Sequence, residues 1–237
     1  MENNGKRYKF VADREKGIYS GDTLKRILAL TDNPAQNVKV GDLGGYVASE
    51  QNLLQTGCAW VFDQARVFGK ARIGGRATVQ DRASVCDEAQ LDGRAQAGGN
   101  AYINGRAKIL DNVVVQGQAA VFDDAVICDD VFVGGNTRIG GNAHVSSAVR
   151  FYGDSVILGD ARIKSYSDWL DIGPNFMGCW KVTVHRDEKL DVRINCEGFS
   201  GGLNDFYEML LKKSENPDIT EKEFKAFRDM VLMCFAI

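Results

Sequence analysis

The sequence predicts a mainly β protein whose central part is a parallel β-helix, in which the chain winds into stacked triangular coils. Three observations support this fold class. Small residues recur every six positions, as at Ala71, Ala77 and Ala83, and an aliphatic residue follows each of them by two positions. Glycine or aspartate fills the fifth position of almost every hexad, and both residue types tolerate tight corners. Apolar residues do not recur at the three- and four-residue spacing of an amphipathic helix.

The hexad frame starts at Ala59 and continues without a slip to Ile163. Its first and third positions lie two residues apart, so both side chains point to the same side of an extended chain. Three short strands and three corners then close one coil, and about six coils fit between residues 59 and 165. Known hexapeptide-repeat proteins wind left-handed, so we expect a left-handed helix, although ordinary parallel crossovers are right-handed.

The chain is expected to divide into three parts, because the open ends of a solenoid need atypical caps. Residues 1–50 are expected to form a small N-terminal β cap, 51–165 the β-helix and 166–237 a small C-terminal α+β domain. Within these parts we predict cap strands at 8–11 and 23–30 with a turn between them, and a hairpin of 180–186 and 190–196. The segment 198–213 starts with a glycine-rich turn and becomes an amphipathic helix, and a last helix at 221–235 is opened by a capping box of Thr220 and Glu223.

Composition limits the classes of partner. The chain has 237 residues and a net charge of −3, which gives no general attraction to nucleic acid or to an anionic membrane. No apolar stretch approaches the roughly 18 residues of a membrane span. The six cysteines contain no CxxC pair, which indicates free thiols in a reducing cytoplasm. Nucleic acid and membrane partners are therefore not expected.

Histidine is too scarce for the best-known chemistry of left-handed β-helices. Zinc-dependent hydration of carbon dioxide needs three histidine ligands, and this chain has only His144 and His185. We therefore expect no metal and no cofactor. Acyl transfer in trimers needs one histidine as general base in a cleft between subunits. His144 occupies an outward-pointing position, so a trimeric acyltransferase is the alternative hypothesis, although a solvated surface histidine is the simpler interpretation.

Large aromatic residues occupy outward-pointing positions of the hexads. On two adjacent faces the outward aromatic residues form a larger apolar surface than a monomer normally exposes. We therefore predict a homo-oligomer, with a trimer favoured. Alternatively, the terminal segments of the same chain cover these rings. The candidate interface residues are Trp60, Phe62, Phe68, Tyr102, Phe122, Phe132 and Tyr152.

Arg76 and Arg94 lie eighteen residues apart, so they should stack on one corner of the helix. Such a corner could receive a phosphate-bearing ligand, and a solvated corner balanced by neighbouring acids is the simpler alternative. Together with Phe122 and Phe132, these arginines are the candidate residues for binding a ligand or a partner.

The segments that flank the repeat resemble those of phage- and prophage-encoded hexapeptide-repeat proteins. The resemblance rests on "VKVGDLGGYV" (38–47), "DWLDIGP" (168–174) and "GFSGGLNDFYEML" (198–210), and it covers nearly the whole chain. The resemblance implies a phage origin and a hexapeptide-repeat β-helix, and it does not point to a particular activity.

We therefore predict a non-catalytic, oligomeric binding or scaffold protein in the cytoplasm of a phage-infected host cell. Its partner would be a host defence protein or a small nucleotide. A structural part of the virion is a third option.

Overall fold

A computed structural model describes residues 5–16, 21, 23–173, 176, 179, 181–196 and 198–236. Its main body is a parallel β-solenoid of about seven turns, preceded by antiparallel strands and followed by a small antiparallel sheet with two helices. The predicted mainly β architecture is therefore confirmed. One leading turn more than the six predicted comes from the segment before Ala59, where Leu53 forms a parallel bridge with Ile73.

The N-terminal strands are β1 (Tyr8–Lys16), β2 (Thr23–Ala29) and β3 (Leu43–Val47), with a short 3-10 turn at Pro34–Gln36. Eighteen strands of two residues form the solenoid: β4 (Trp60–Val61), β5 (Arg66–Val67), β6 (Arg72–Ile73), β7 (Thr78–Val79), β8 (Ser84–Val85), β9 (Gln90–Leu91), β10 (Gln96–Ala97), β11 (Tyr102–Ile103), β12 (Lys108–Ile109), β13 (Val114–Val115), β14 (Ala120–Val121), β15 (Val126–Ile127), β16 (Phe132–Val133), β17 (Arg138–Ile139), β18 (His144–Val145), β19 (Arg150–Phe151), β20 (Val156–Ile157) and β21 (Arg162–Ile163). The C-terminal part contains a 3-10 turn at Tyr166–Asp168, β22 (Trp169–Ile172), β23 (Val182–Arg186), β24 (Val192–Cys196), β25 (Phe199–Gly201), α1 (Leu203–Lys213) and α2 (Pro217–Cys234).

Every third solenoid strand belongs to the same face, so the prism has three sides. The first face runs β3-β5-β8-β11-β14-β17-β20, and β2 and β1 extend it at its start. The second face contains β4, β7, β10, β13, β16 and β19, and the third contains β6, β9, β12, β15, β18 and β21. Partners in neighbouring coils are eighteen residues apart, as for Thr78 and Gln96.

The interior follows the first and third hexad positions. Val79, Ala97 and Val115 illustrate the third position, and all three are fully buried. Backbone groups pair between coils, as where the N–H of Arg66 donates to the carbonyl of Ala83 at 2.9 Å. Stacked inward aliphatics thus form one continuous core along the prism.

The corners explain the alternation of glycine and aspartate at the fifth position. Each fifth-position residue from Asp63 to Gly159 has a positive φ, which glycine adopts freely and aspartate tolerates. Aspartate adds a hydrogen bond, because its carboxylate accepts from the N–H eighteen residues further on. Asp81 accepts from the N–H of Gly99 in this way, at 2.7 Å.

The N-terminal cap closes the first coil. β1 pairs with β2 and β2 with β3, both in antiparallel orientation. β3 then pairs in parallel with β5, which joins the cap to the first face of the solenoid. The ring of Tyr8 is fully buried and its hydroxyl donates to the carbonyl of Leu53 at 2.7 Å. β1 reaches Lys16, beyond the predicted end at residue 11, and the predicted turn at 16–22 lies mostly outside the described residues.

The C-terminal part contains the predicted hairpin, formed by β23 and β24 within the antiparallel order β22-β23-β24-β25. α1 begins at Leu203, within the segment predicted to become helical, and the residues before it, Phe199–Gly201, pair with β24. The predicted start of the last helix is wrong.

α2 begins four residues before its predicted start at 221. The side chain of Asn216 caps it by accepting from the N–H of Ile219 at 3.3 Å, and Pro217 suits the first helical position. Thr220 therefore lies inside the helix, where its hydroxyl donates to the carbonyl of Asn216 at 3.1 Å.

The C-terminal sheet covers the last coil. The N–H of Val156 donates to the hydroxyl of Thr183 at 3.0 Å, and the amide of Asn195 donates to the carbonyl of Val156 at 3.1 Å. The rings of Phe151 and Trp169 pack with centroids 4.7 Å apart. Among the helices described, none has the length and apolar character that a membrane crossing requires.

Candidate functional site

Arg76 and Arg94, the two arginines of the predicted basic corner, line the same open cavity of about 360 Å³ on the second face. Its volume is within the range of small-molecule sites, roughly 300–1,000 Å³. The lining residues are Ala35, Gln36, Phe62, Arg76, Thr78, Gln80, Arg94 and Gln96.

The solenoid register supplies most of this cavity. Thr78 of β7 pairs with Gln96 of β10, and the two arginines stand two residues earlier, on the corner that leads into these strands. The N–H of Arg76 donates to the carbonyl of Gly93 at 2.7 Å, which holds the two coils together at the corner. The arginine side chains are therefore presented in neighbouring coils, whose spacing in parallel sheets is about 4.8 Å.

The N-terminal cap supplies the opposite wall. The side-chain amide of Gln36 donates to the carbonyl of Arg76 at 2.9 Å. Asn33, just before the 3-10 turn, donates to the carbonyl of Cys58 at 2.9 Å. The cavity thus lies at the junction between the cap and the first three strands of the second face, β4, β7 and β10.

The charge in the cavity is uncompensated. Both arginine side chains are exposed, and in the part of the chain that the structure describes neither guanidinium forms an ion pair or a hydrogen bond. No lining residue is acidic. A guanidinium offers a planar fork of donors that matches phosphate oxygens, and the half-buried ring of Phe62 offers a face for a planar group.

A second corner of the same prism shows the contrasting arrangement. There the side chains of Lys70, Glu88, Arg106 and Asp124 alternate in sign through four coils. Lys70 Nζ lies 2.9 Å from Glu88 Oε1, and Arg106 Nε lies 2.5 Å from Asp124 Oδ1. The charged side chains of this second corner therefore compensate one another, whereas the guanidiniums of Arg76 and Arg94 have no such partner.

Two of the candidate interface rings are covered within the chain. Trp60 is 2% exposed and packs against Tyr8 of the cap, with ring centroids 6.4 Å apart. Phe68 is 3% exposed and belongs to a small cluster with Leu24 and Tyr46. The alternative that a terminal segment covers outward aromatics therefore applies to these two residues.

The remaining rings lie away from the arginine cavity, with Phe62 as the exception. Tyr102 is half-buried, and its hydroxyl accepts from the thiol of Cys86 at 3.3 Å. Phe122 is half-buried beneath the guanidinium of Arg138, at 5.5 Å from the ring centroid. Its ring covers Gly140 so closely that a Cβ at this position would displace the ring.

Phe132 and Tyr152 form an aromatic pair near the far end of the second face. Their ring centroids are 5.0 Å apart, and Tyr152 is 62% exposed. The structure thus leaves Tyr152 as the most accessible of the candidate interface rings, and it separates Phe122 and Phe132 from Arg76 and Arg94.

The two histidines occupy different environments. His144 is half-buried on the third face, and its Nε2 lies 3.9 Å from Cys128 Sγ. Burial lowers the pKa of His144, and nearby Arg162 and Lys164 lower it further. His185 is buried in the C-terminal part, with Nε2 2.6 Å from the amide nitrogen of Asn195.

Sequence reasoning missed four polar residues of the cavity. Thr78 and Gln96 could have been found by stepping eighteen residues along the second face, as was done for the arginines, and Gln80 follows Thr78 on the same strand side. Gln36 carries no such signal, because only the path of the cap places it on this face.

No protein family model matches the chain, and no curated protein sequence is significantly similar to it. Fold and cavity together define a class: a capped parallel β-solenoid with a basic cleft between its N-terminal cap and its first coils.

Proposed function

We propose that the protein is a non-catalytic binding protein whose basic cleft holds a small phosphate-bearing ligand, such as a nucleotide. The observation that carries the proposal is that Arg76 and Arg94, in neighbouring coils, line one cavity with unpaired guanidiniums. Like charges in neighbouring coils repel each other, and an anion between them removes that repulsion. Charge-assisted hydrogen bonds to such an anion contribute about 1.5–3 kcal/mol each.

The other lining groups favour a nucleotide over phosphate alone. Phe62 offers a stacking surface, and Gln36, Gln80 and Gln96 offer amide donors and acceptors to a base or sugar. The cavity volume of about 360 Å³ suits a small molecule. The resemblance of the flanking segments to phage proteins supports a role in an infected host cell, where the ligand would be a nucleotide signal.

The proposal includes a homotrimer, with Tyr152 at the contact between subunits. Its support is the exposed aromatic surface of Tyr152 and Phe132 on a prism that is closed at both ends. Sedimentation equilibrium tests it: the expected mass is three chains of 26.0 kDa, and Tyr152→Ala should shift the equilibrium towards monomer. A monomer at micromolar concentration would overturn this part of the proposal.

We do not extend the proposal to a trimeric acyltransferase. The outward position of His144 is the one observation behind that alternative, and the general base of such an enzyme works in a cleft that a second subunit completes.

Isothermal titration calorimetry with AMP and with inorganic phosphate tests the binding proposal. We expect AMP to bind the wild-type protein, and Arg76→Gln and Arg94→Gln each to weaken binding about tenfold or more. Arg72→Gln is the matched control, because Arg72 is an exposed arginine on the third face. Phe62→Ala should weaken AMP more than phosphate, since only the nucleotide has a base to stack.

Two results would overturn the binding proposal. One is the absence of binding of both probes at millimolar concentration. The other is AMP affinity that survives the double substitution of Arg76 and Arg94.

A further inference from the structure

We propose that Asp111, Cys128, Asp129 and His144 form a binding site for one divalent transition-metal ion, with Zn²⁺ the best match to their chemistry. These residues lie on the third face and on the corner that follows it, which is the same corner that carries Arg76 and Arg94 in the preceding coils. A thiolate, an imidazole and carboxylates are the ligand types that Zn²⁺ takes in proteins.

The ligand atoms already converge. Asp111, Cys128 and Asp129 each offer one atom, and these three atoms lie within 4.8 Å of one another. His144 Nε2 lies 3.9 Å from Cys128 Sγ. In a tetrahedral zinc site, with a Zn–S bond of about 2.3 Å and a Zn–N bond of about 2.0 Å, the sulfur and nitrogen ligands are about 3.5 Å apart. A small rotation of Cys128 or His144 would therefore bring this pair to that separation, and His144 would be the fourth ligand beside the three atoms that already converge.

The solenoid brings these residues together from separate coils. Asp111 and Asp129 occupy the same corner position, one coil apart. Cys128 directly precedes Asp129. His144, in the next coil, pairs with Val126, and Val126 lies two residues before Cys128. The sequence shows no short-range ligand motif, because the ligands come from successive coils and are therefore separated by about one coil length of the chain.

Main-chain donors orient both carboxylates. Asp111 Oδ2 accepts from the N–H of Asp129 at 3.1 Å, and Asp129 Oδ2 accepts from the N–H of Ser147 at 2.8 Å. Within the described chain the Oδ1 atom of each carboxylate has no hydrogen-bond donor. Ligating carboxylates are commonly held by such outer hydrogen bonds, which leave the other oxygen for the metal.

The two carboxylates favour a cation beside the thiol. Asp111 and Asp129 place negative charge next to Cys128, and this charge attracts a metal ion, which in turn stabilises the thiolate.

A second cysteine in the same chain provides a natural comparison. Cys86 and Tyr102 on the first face have the same sixteen-residue separation as Cys128 and His144, and their side chains are 3.3 Å apart. There, however, the thiol is 1% exposed and a phenol replaces the imidazole. Asp87 follows Cys86, but the corner positions above and below it are Gly69 and Gly105, so no second carboxylate is present.

Cobalt(II) titration of the chelator-treated full-length protein tests the site, because Co²⁺ replaces Zn²⁺ and its bond to a thiolate gives a charge-transfer absorption band. We expect this band to saturate at one ion per chain and to be displaced by Zn²⁺. Cys128→Ser should abolish it, and His144→Ala and Asp111→Asn should each weaken Co²⁺ binding about tenfold or more. Cys86→Ser, the matched control, should leave the titration unchanged.

The absence of a thiolate–cobalt band in the wild-type protein would overturn the proposal. So would a band that persists in Cys128→Ser or disappears in Cys86→Ser. Circular dichroism verifies that each variant is folded. His144 is half-exposed and outside the core, so His144→Ala provides a decisive result even where Cys128→Ser fails to fold.

Discussion

At the scale of single residues, His185 connects the structure to pH. It is 1% exposed, and its two ring nitrogens lie 3.1 Å from the carbonyl oxygen of Arg186 and 2.6 Å from the amide nitrogen of Asn195. This arrangement fits a neutral ring that donates through Nδ1 to the carbonyl and accepts the amide of Asn195 through Nε2. Burial lowers the pKa of His185 in the folded state.

The folded protein should therefore lose stability in mild acid. An unfolded histidine takes up its proton near pH 6.5, before the buried ring does, so the unfolded state binds more protons as the pH falls. Above about pH 6.5 the ring of His185 is neutral in both states and does not lower the free energy of unfolding. Below that pH the free energy of unfolding falls by at most about 1.4 kcal/mol per pH unit because of this residue. Urea unfolding at pH 7.5 and 5.5 should show a lower free energy of unfolding in acid.

His185→Gln should flatten this pH dependence, and His144→Gln is the comparison. The pKa of His144 is also lowered, but its ring is only half-buried, so its share should be smaller. An unchanged slope in His185→Gln would contradict the assignment.

Single residues also show where sequence reasoning succeeds. The inward direction of Val79 and Val85 follows from the two-residue period of a strand and is confirmed by their complete burial. The burial of Trp60 could not be predicted in the same way. It depends on Tyr8, some fifty residues earlier, and no periodicity connects the two.

At the scale of elements, the corner is the feature most open to mutation. Gly135 and Gly159 both have positive φ at the same hexad position. A Cβ added at Gly135 would lie 2.5 Å from the backbone nitrogen of Gly153, whereas a Cβ at Gly159 would meet nothing within 4 Å. An alanine at Gly159 would therefore introduce backbone strain alone, whereas an alanine at Gly135 would add a clash with the neighbouring coil.

Gly159→Ala should cost about 1 kcal/mol of unfolding free energy through backbone strain alone. Gly135→Ala should cost clearly more, because a neighbouring coil has to move. Urea denaturation of both variants measures the difference. Equal losses would mean that the coils are not packed as closely at Gly135 as the structure indicates.

Element boundaries were less predictable than element types. The C-terminal hairpin follows from alternation and is confirmed in β23 and β24. The start of α2 was misplaced because the Thr220 and Glu223 pair resembles a capping box, while Asn216 and Pro217 provide a stronger start one turn earlier. Local signals of similar kind compete, and tertiary packing decides between them.

At the scale of the whole molecule, one period organises both proposed sites. Arg76 and Arg94 share a cavity, and Asp111 lies near Asp129, because residues eighteen positions apart occupy neighbouring coils. This period alone predicts the basic corner. It does not predict the Cys128 cluster, because the members of that cluster combine separations of one, sixteen and eighteen residues across three coils.

The caps limit what any repeat can predict. The position of Gln36 against Arg76 depends on how β2 and β3 direct the intervening segment, and that path has no periodic signal. The charge of the cleft can therefore be predicted from the repeat, whereas the wall formed by the cap is seen only in the structure.

Stacking of residues eighteen positions apart is the feature on which both sites depend, and a crystal structure of the full chain measures it most directly. We predict Thr78 and Gln96 paired in adjacent parallel strands, Val79 and Ala97 pointing into the core, and the guanidiniums of Arg76 and Arg94 facing one cleft. Electron density that places Val79 and Ala97 in separate parts of the molecule, or that directs the two guanidiniums to different surfaces, would contradict this register and remove the basis of both sites.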